Sequence, residues 1–90
     1  MATVRIPSPL RKYTDGQAKI TIPGATVAEV MTNLITAYPG IESRIMDDGQ
    51  IKRFINVFVN EDEIRTLNGA ESTVSDSDEI SIVPAMAGGK

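Results

Sequence analysis

Thr26-Val27-Ala28-Glu29-Val30-Met31-Thr32-Asn33-Leu34-Ile35-Thr36-Ala37-Tyr38 reads as one amphipathic helix with both ends marked. Thr26 and Glu29 form a T-x-x-E capping box, whose hydroxyl and carboxylate satisfy amides that no preceding turn can reach. Val27, Val30, Met31, Leu34, Ile35 and Tyr38 recur at helical spacing and make one apolar stripe. Pro39-Gly40 stops the helix. A helix with a single apolar stripe has to cover another face, and the flanks supply one.

Upstream, Thr3-Val4-Arg5-Ile6 alternates polar and apolar residues, as a half-buried strand does. Pro7 and Pro9 end it, and Leu10 to Gly16 reads as a loop closed by Asp15-Gly16. Ala18-Lys19-Ile20-Thr21-Ile22 alternates again, with Ala18, Ile20 and Ile22 on one face. Downstream, Ile41, Ile45 and Met46 suit a short helical turn under the sheet, followed by a turn at Asp47-Asp48-Gly49. Phe54 to Val59 is the densest strand signal. Ile55, Val57 and Val59 point one way, and Phe54, Asn56 and Phe58 the other. Asn60-Glu61-Asp62-Glu63 reads as a polar turn, Ile64-Arg65 as a short edge strand and Asn68-Gly69 as another turn. Ile80-Ser81-Ile82 is a last strand, ended by Pro84. The expected architecture is α+β, a mixed sheet of four to five strands with one main helix on one face. Residues 1–84 form that domain, and 85–90, without periodicity, form a flexible C-terminal tail.

The composition narrows the chemistry. Ninety residues suit one domain. With no cysteine and no histidine, disulfides, Cys/His zinc sites, cysteine nucleophiles and Ser-His-Asp triads are all excluded within the chain. Glu61-Asp62-Glu63 and Asp76-Ser77-Asp78-Glu79 lack the ligand spacing of a calcium loop, so no metal site is expected. The net charge is −3, and the nine basic residues are scattered along the chain, which argues against nucleic acid as a partner. No apolar run approaches the roughly 20 residues of a membrane span. No basic segment followed by an apolar stretch opens the chain, so the expected location is the cytoplasm.

Three segments carry a resemblance. Val4-Arg5-Ile6-Pro7 leads to Leu10-Arg11-Lys12-Tyr13-Thr14-Asp15-Gly16. Arg53-Phe54-Ile55-Asn56-Val57-Phe58-Val59-Asn60-Glu61-Asp62 forms a central strand and acidic turn. Ile82-Val83-Pro84-Ala85-Met86-Ala87-Gly88-Gly89 forms a last strand and tail. In this order they resemble the β-grasp fold of ubiquitin and of the MoaD/ThiS family of ubiquitin-like sulfur carriers. Within that family the chain resembles most the sulfur carriers of cysteine biosynthesis, and next the molybdopterin synthase small subunit.

The resemblance implies a carrier, not an enzyme. An adenylating (activating) enzyme uses ATP to activate the terminal glycine carboxylate, and a sulfur donor displaces AMP to leave a thiocarboxylate. The sulfur then passes to an acceptor enzyme such as a cysteine synthase. The carrier itself holds no cofactor and has no catalytic residue. Gly89 becomes the sulfur-carrying residue, and Ala85, Met86, Ala87 and Gly88 thread the partner's channel. Glycine suits such a tail because it lacks a Cβ and lets backbone approach backbone. Lys90 departs from the pattern, because it ties the Gly89 carboxyl into an amide. It is read first as a residue removed by a peptidase, of JAMM type in some relatives, and second as an expression artefact; loss of the carrier role is the third reading.

Phe54 and Phe58 are the candidate docking face, since apolar groups on an open sheet face mark interaction sites. A loop that shields them is the plainer alternative. Two other functions stay open: a ubiquitin-like modifier joined to lysines through Gly89, and an interaction module without tail chemistry.

Overall fold

A computed structural model describes residues 1–84 of the chain. The expectations for Ala85, Met86, Ala87, Gly88, Gly89 and Lys90 therefore fall outside the described residues.

The strands are β1 (Ala2–Arg5), β2 (Lys19–Ile22), β3 (Met46–Asp47), β4 (Gln50–Ile51), β5 (Ile55–Val59), β6 (Asp62–Glu63) and β7 (Glu79–Pro84). The helices are α1 (Val27–Ala37) and the single turn α2 (Glu42–Ile45). Five strands form one sheet in the order β2-β1-β7-β5-β6. β1 is antiparallel to β2 and parallel to β7, and β5 is antiparallel to both β7 and β6. The first and last strands are thus neighbours at the centre of the sheet, and α1 is the crossover between its two halves. This is the β-grasp arrangement, an α+β mixed sheet with one main helix.

The helix forms where its stripe and caps put it. Glu29 N–H donates to the Thr26 hydroxyl at 3.2 Å, and the Glu29 carboxylate accepts from Ala25 N–H at 2.8 Å. The box therefore closes on the residue before the cap. Val27, Val30, Met31 and Leu34 are fully buried, while Ile35 and Tyr38 pack at the margin. Burying each large apolar side chain contributes roughly 1.5–3 kcal/mol, so this face anchors α1 to the sheet. Across the interface the buried alternates are Ala2 and Val4, Ile20 and Ile22, Ile55, Val57 and Val59, and Ile80 and Ile82. Ile41 and Ile45 close the bottom of the core, as the helical-turn reading expected.

Several local readings are corrected. Leu10 to Gly16 is not an irregular loop: Ser8–Tyr13 winds into 3-10 turns and inserts Leu10 into the core. Pro9 suits the start of that turn because its amide is not needed there. Ala18 is exposed and precedes β2. Ile64-Arg65 is not the edge strand. Asn60 takes a φ of 58°, so Asn60-Glu61 turns the chain in two residues and the returning strand is Asp62–Glu63. Ile64–Thr66 then coils as a 3-10 turn that buries Ile64. The turn expected at Asp47-Asp48-Gly49 is present, and it closes a hairpin between β3 and β4, with Asp48 at φ 55° and Gly49 at φ 79°. Two positive φ values in a two-residue loop match the strand twist, which favours Asp-Gly there.

Candidate functional site at the end of the last strand

The six residues of interest at the C-terminus follow Pro84, so the site that can be built is their root. β7 runs two residues further than the Ile80-Ser81-Ile82 segment read from the sequence. Val83 pairs with Asn56 and Pro84 with Ile55, which pins the last residue of the strand to the first residue of β5. Proline is tolerated there because it ends the strand and β1 no longer runs alongside to require its missing N–H.

The β5 side of this root is held by Arg65. Its Nη1 donates to Asn56 Oδ1 at 2.8 Å, and its Nη2 donates to the Arg53 carbonyl at 2.9 Å. Ile55 N–H also donates to the Lys52 carbonyl at 3.0 Å, closing a turn over residues 52–55. These bonds take Phe54 out of the pleat. Phe54 is therefore not on the strand, as the alternation implied, but in the turn before it, with half of its surface in water (51%). Lys52 Nζ sits 5.7 Å from its ring centroid.

Phe58 does lie on the sheet face away from α1. The register places Lys19, Arg5, Ser81, Phe58 and Glu63 in one row across all five strands. Phe58 is half-buried in that row, and Val83 is exposed on the same face. Phe54 and Phe58 are thus not one patch: one stands at the rim beside Pro84, the other at mid-sheet. Val83 was missed because the segment stopped at Ile82, although its period-two spacing from Ser81 was there to be used. Arg65 carried no signal for this role, because the hydrogen-bond partners that hold the root lie 9 and 12 residues away, and only its ion pair with Glu63 at 3.6 Å is local.

Opposite Phe54, Arg5, Pro7, Arg11, Val83 and Pro84 line a shallow groove. Arg11 Nε donates to the Ile6 carbonyl at 3.0 Å, which ties the 3-10 turn to the end of β1. At the far end of β7 the charge is reversed. Asp78 accepts from Ser75 N–H at 2.8 Å and from Asn60 Nδ2 at 3.0 Å. These donors favour the ionised form, so its pKa is held below the ordinary carboxylate value. Asn60 completes the corner, accepting from Glu79 N–H at 3.0 Å through Oδ1. Among the described residues no group of three or more His, Cys, Asp or Glu is placed to hold a metal ion. Nor is any described helix long and apolar enough to cross a membrane.

Comparison with known proteins places this geometry. The model of the ThiS family matches residues 4–89. The chain is 39% identical over 90 residues to the sulfur carrier protein CysO of Mycobacterium tuberculosis, with 97% of each chain covered. It is 37% identical over 65 residues to the small archaeal modifier protein 3 of Haloferax volcanii, covering 72% of this chain and 71% of that one. A chain in the crystal structure of the Amycolatopsis orientalis BexX/CysO complex superposes with a TM-score of 0.89 at 38% identity, covering 94% of this chain and 96% of that one.

Proposed function

This chain belongs to the ThiS family, and from that membership we propose that it is a sulfur carrier loaded at Gly89. The observation that carries the reading is a strand end pinned on one side by Ile55, with Gly88-Gly89 following in the sequence after three intervening residues. A fixed root followed by a short run in which all but Met86 are small suits a group that must reach into another protein while the domain stays outside. The division into a 1–84 domain and an 85–90 tail belongs to this proposal.

In the proposed cycle a peptidase, of JAMM type in this reading, first hydrolyses the Gly89–Lys90 amide. The freed Gly89 carboxylate attacks the α-phosphate of ATP on an adenylating enzyme, forming the acyl adenylate with loss of pyrophosphate. A sulfur nucleophile then attacks the Gly89 carbonyl, AMP leaves, and a thiocarboxylate remains. That group hands its sulfur to an acceptor enzyme, for which a cysteine synthase is the first candidate. ATP belongs to the adenylating enzyme. The carrier contributes Ala85, Met86, Ala87 and Gly88 as the threaded segment, and Phe54 at the rim and Phe58 at mid-sheet as two separate docking contacts. The similarity to the sulfur carrier protein CysO supports sulfur carriage as the role.

The test is reconstitution. Protein ending at Gly89, incubated with adenylating enzyme, ATP and a sulfide source, should gain one oxygen-to-sulfur exchange at its terminus. No gain would refute the reading. The similarity to a small archaeal modifier protein supports a second reading, in which Gly89 forms isopeptide bonds with lysines of other proteins. Conjugates of raised mass carrying this chain in extracts of its own cells would favour it.

A further inference from the structure

We propose that the end of the sheet around Pro84 is a cationic collar that docks on an acidic rim at the mouth of the partner's tail channel. The inference rests on the carrier reading above and adds how the partner is recognised.

The sequence hides this feature because the basic residues are scattered along it; folding gathers them. Arg5 and Arg11 line the groove beside Val83 and Pro84. Lys52 and Arg53 lie in the turn with Phe54, immediately before the residue that pairs with Pro84. Among the described residues Asp47 is the one carboxylate in the hollow that Lys52, Arg53 and Phe54 line. The opposite end of the same strands carries Glu61, Asp62, Asp76 and Asp78. A chain of net charge −3 therefore presents cations where the tail begins and anions at the other end.

These cations are not consumed by the fold. Among the described residues Arg5 has one exposed ion pair, with Glu79 at 3.4 Å, a kind of contact that contributes little. Arg11 uses Nε on a carbonyl and leaves its terminal nitrogens without a hydrogen bond among the described residues. Lys52 rests on an exposed ring.

Reach fixes their role. Gly89 is the fifth residue after Pro84, about 18 Å of chain at most. With the tail extended into a channel, the collar meets the entrance and not the reacting carboxyl. It should act on encounter and affinity, where complementary charge raises association rates and makes them sensitive to salt.

The experiment uses the chain ending at Gly89 and the adenylating enzyme of the same cells, with adenylate formation read as pyrophosphate release. Lys52→Glu with Arg53→Glu should raise the KM for the carrier about tenfold, with kcat changed less than twofold, and should flatten the dependence of KM on NaCl. Asp62→Lys, at the far end, should leave KM within twofold, which separates location from net charge. Thermal unfolding of each variant checks that it is folded, and Lys52→Gln with Arg53→Gln should give an intermediate KM. An unchanged KM in the reversed variant, or a more than twofold fall in KM for Asp62→Lys, overturns the collar while the carrier reading stands. No adenylation of the unsubstituted chain overturns both.

Discussion

Arg65 is the residue with the most leverage on the proposed site. Its guanidinium joins Asn56 and the Arg53 carbonyl, the two points that aim the start of β5. Its side chain is about half exposed, so solvent weakens these bonds. Arg65→Ala should lower stability by about 1–2 kcal/mol in urea unfolding, with hydrogen exchange quickening at residues 55 and 83 before the rest of the sheet. Uniform quickening would mean that it holds no local geometry. Gly24 is the residue whose side chain is missing for a reason. It has φ 152°, and a Cβ there would lie 2.7 Å from Val30 Cγ2 and 2.8 Å from the Val30 amide nitrogen. Gly24→Ala should cost roughly 2–3 kcal/mol, from crowding against α1 together with backbone strain. An unfolding midpoint equal to wild type would contradict the close packing of that turn on the helix.

At the scale of elements, what was legible depended on how local the cause was. The helix could be read because its cap, stripe and stop all lie within 26–40. Thr26→Ala should accordingly cost about 1 kcal/mol in denaturant unfolding. The strands that bury alternate residues were legible for the same reason. The edge of the sheet was not, because Asn60 turns the chain in fewer residues than its polar surroundings suggest, moving the pairing to Asp62–Glu63. Phe54 looked like a strand residue until Arg65, distant in sequence, bent the chain ahead of Ile55. The corner at Asn60 and Asp78 has a pH signature of its own. Asp78 stays ionised to lower pH in the folded chain than in the unfolded one. Its contribution is therefore complete above about pH 4 and is lost as pH falls through the lower folded value. Asp78→Asn should flatten the fall of the urea midpoint with acidification below about pH 4, and an unchanged slope would remove Asp78 from the acid response.

For the whole molecule, the proposed division of labour is between a domain that folds without the tail and a tail that carries the chemistry. The described core is closed by residues up to Ile82, with no core side chain beyond it. Removing residues 85–90 should therefore change stability by no more than about 0.5 kcal/mol while abolishing thiocarboxylate formation. The fold and family were legible from the order of the elements and the Gly-Gly at their end. The gathering of cations around Pro84 was not, since it depends on β1, β5 and β7 ending together. The central claim, that Gly89 is loaded with sulfur, is tested most directly by the intact mass of untagged protein purified from its own cells. The account predicts a species ending at Gly89, part of it shifted by one oxygen-to-sulfur exchange. A single species still ending in Lys90, unchanged after incubation with ATP, adenylating enzyme and sulfur donor, would contradict it.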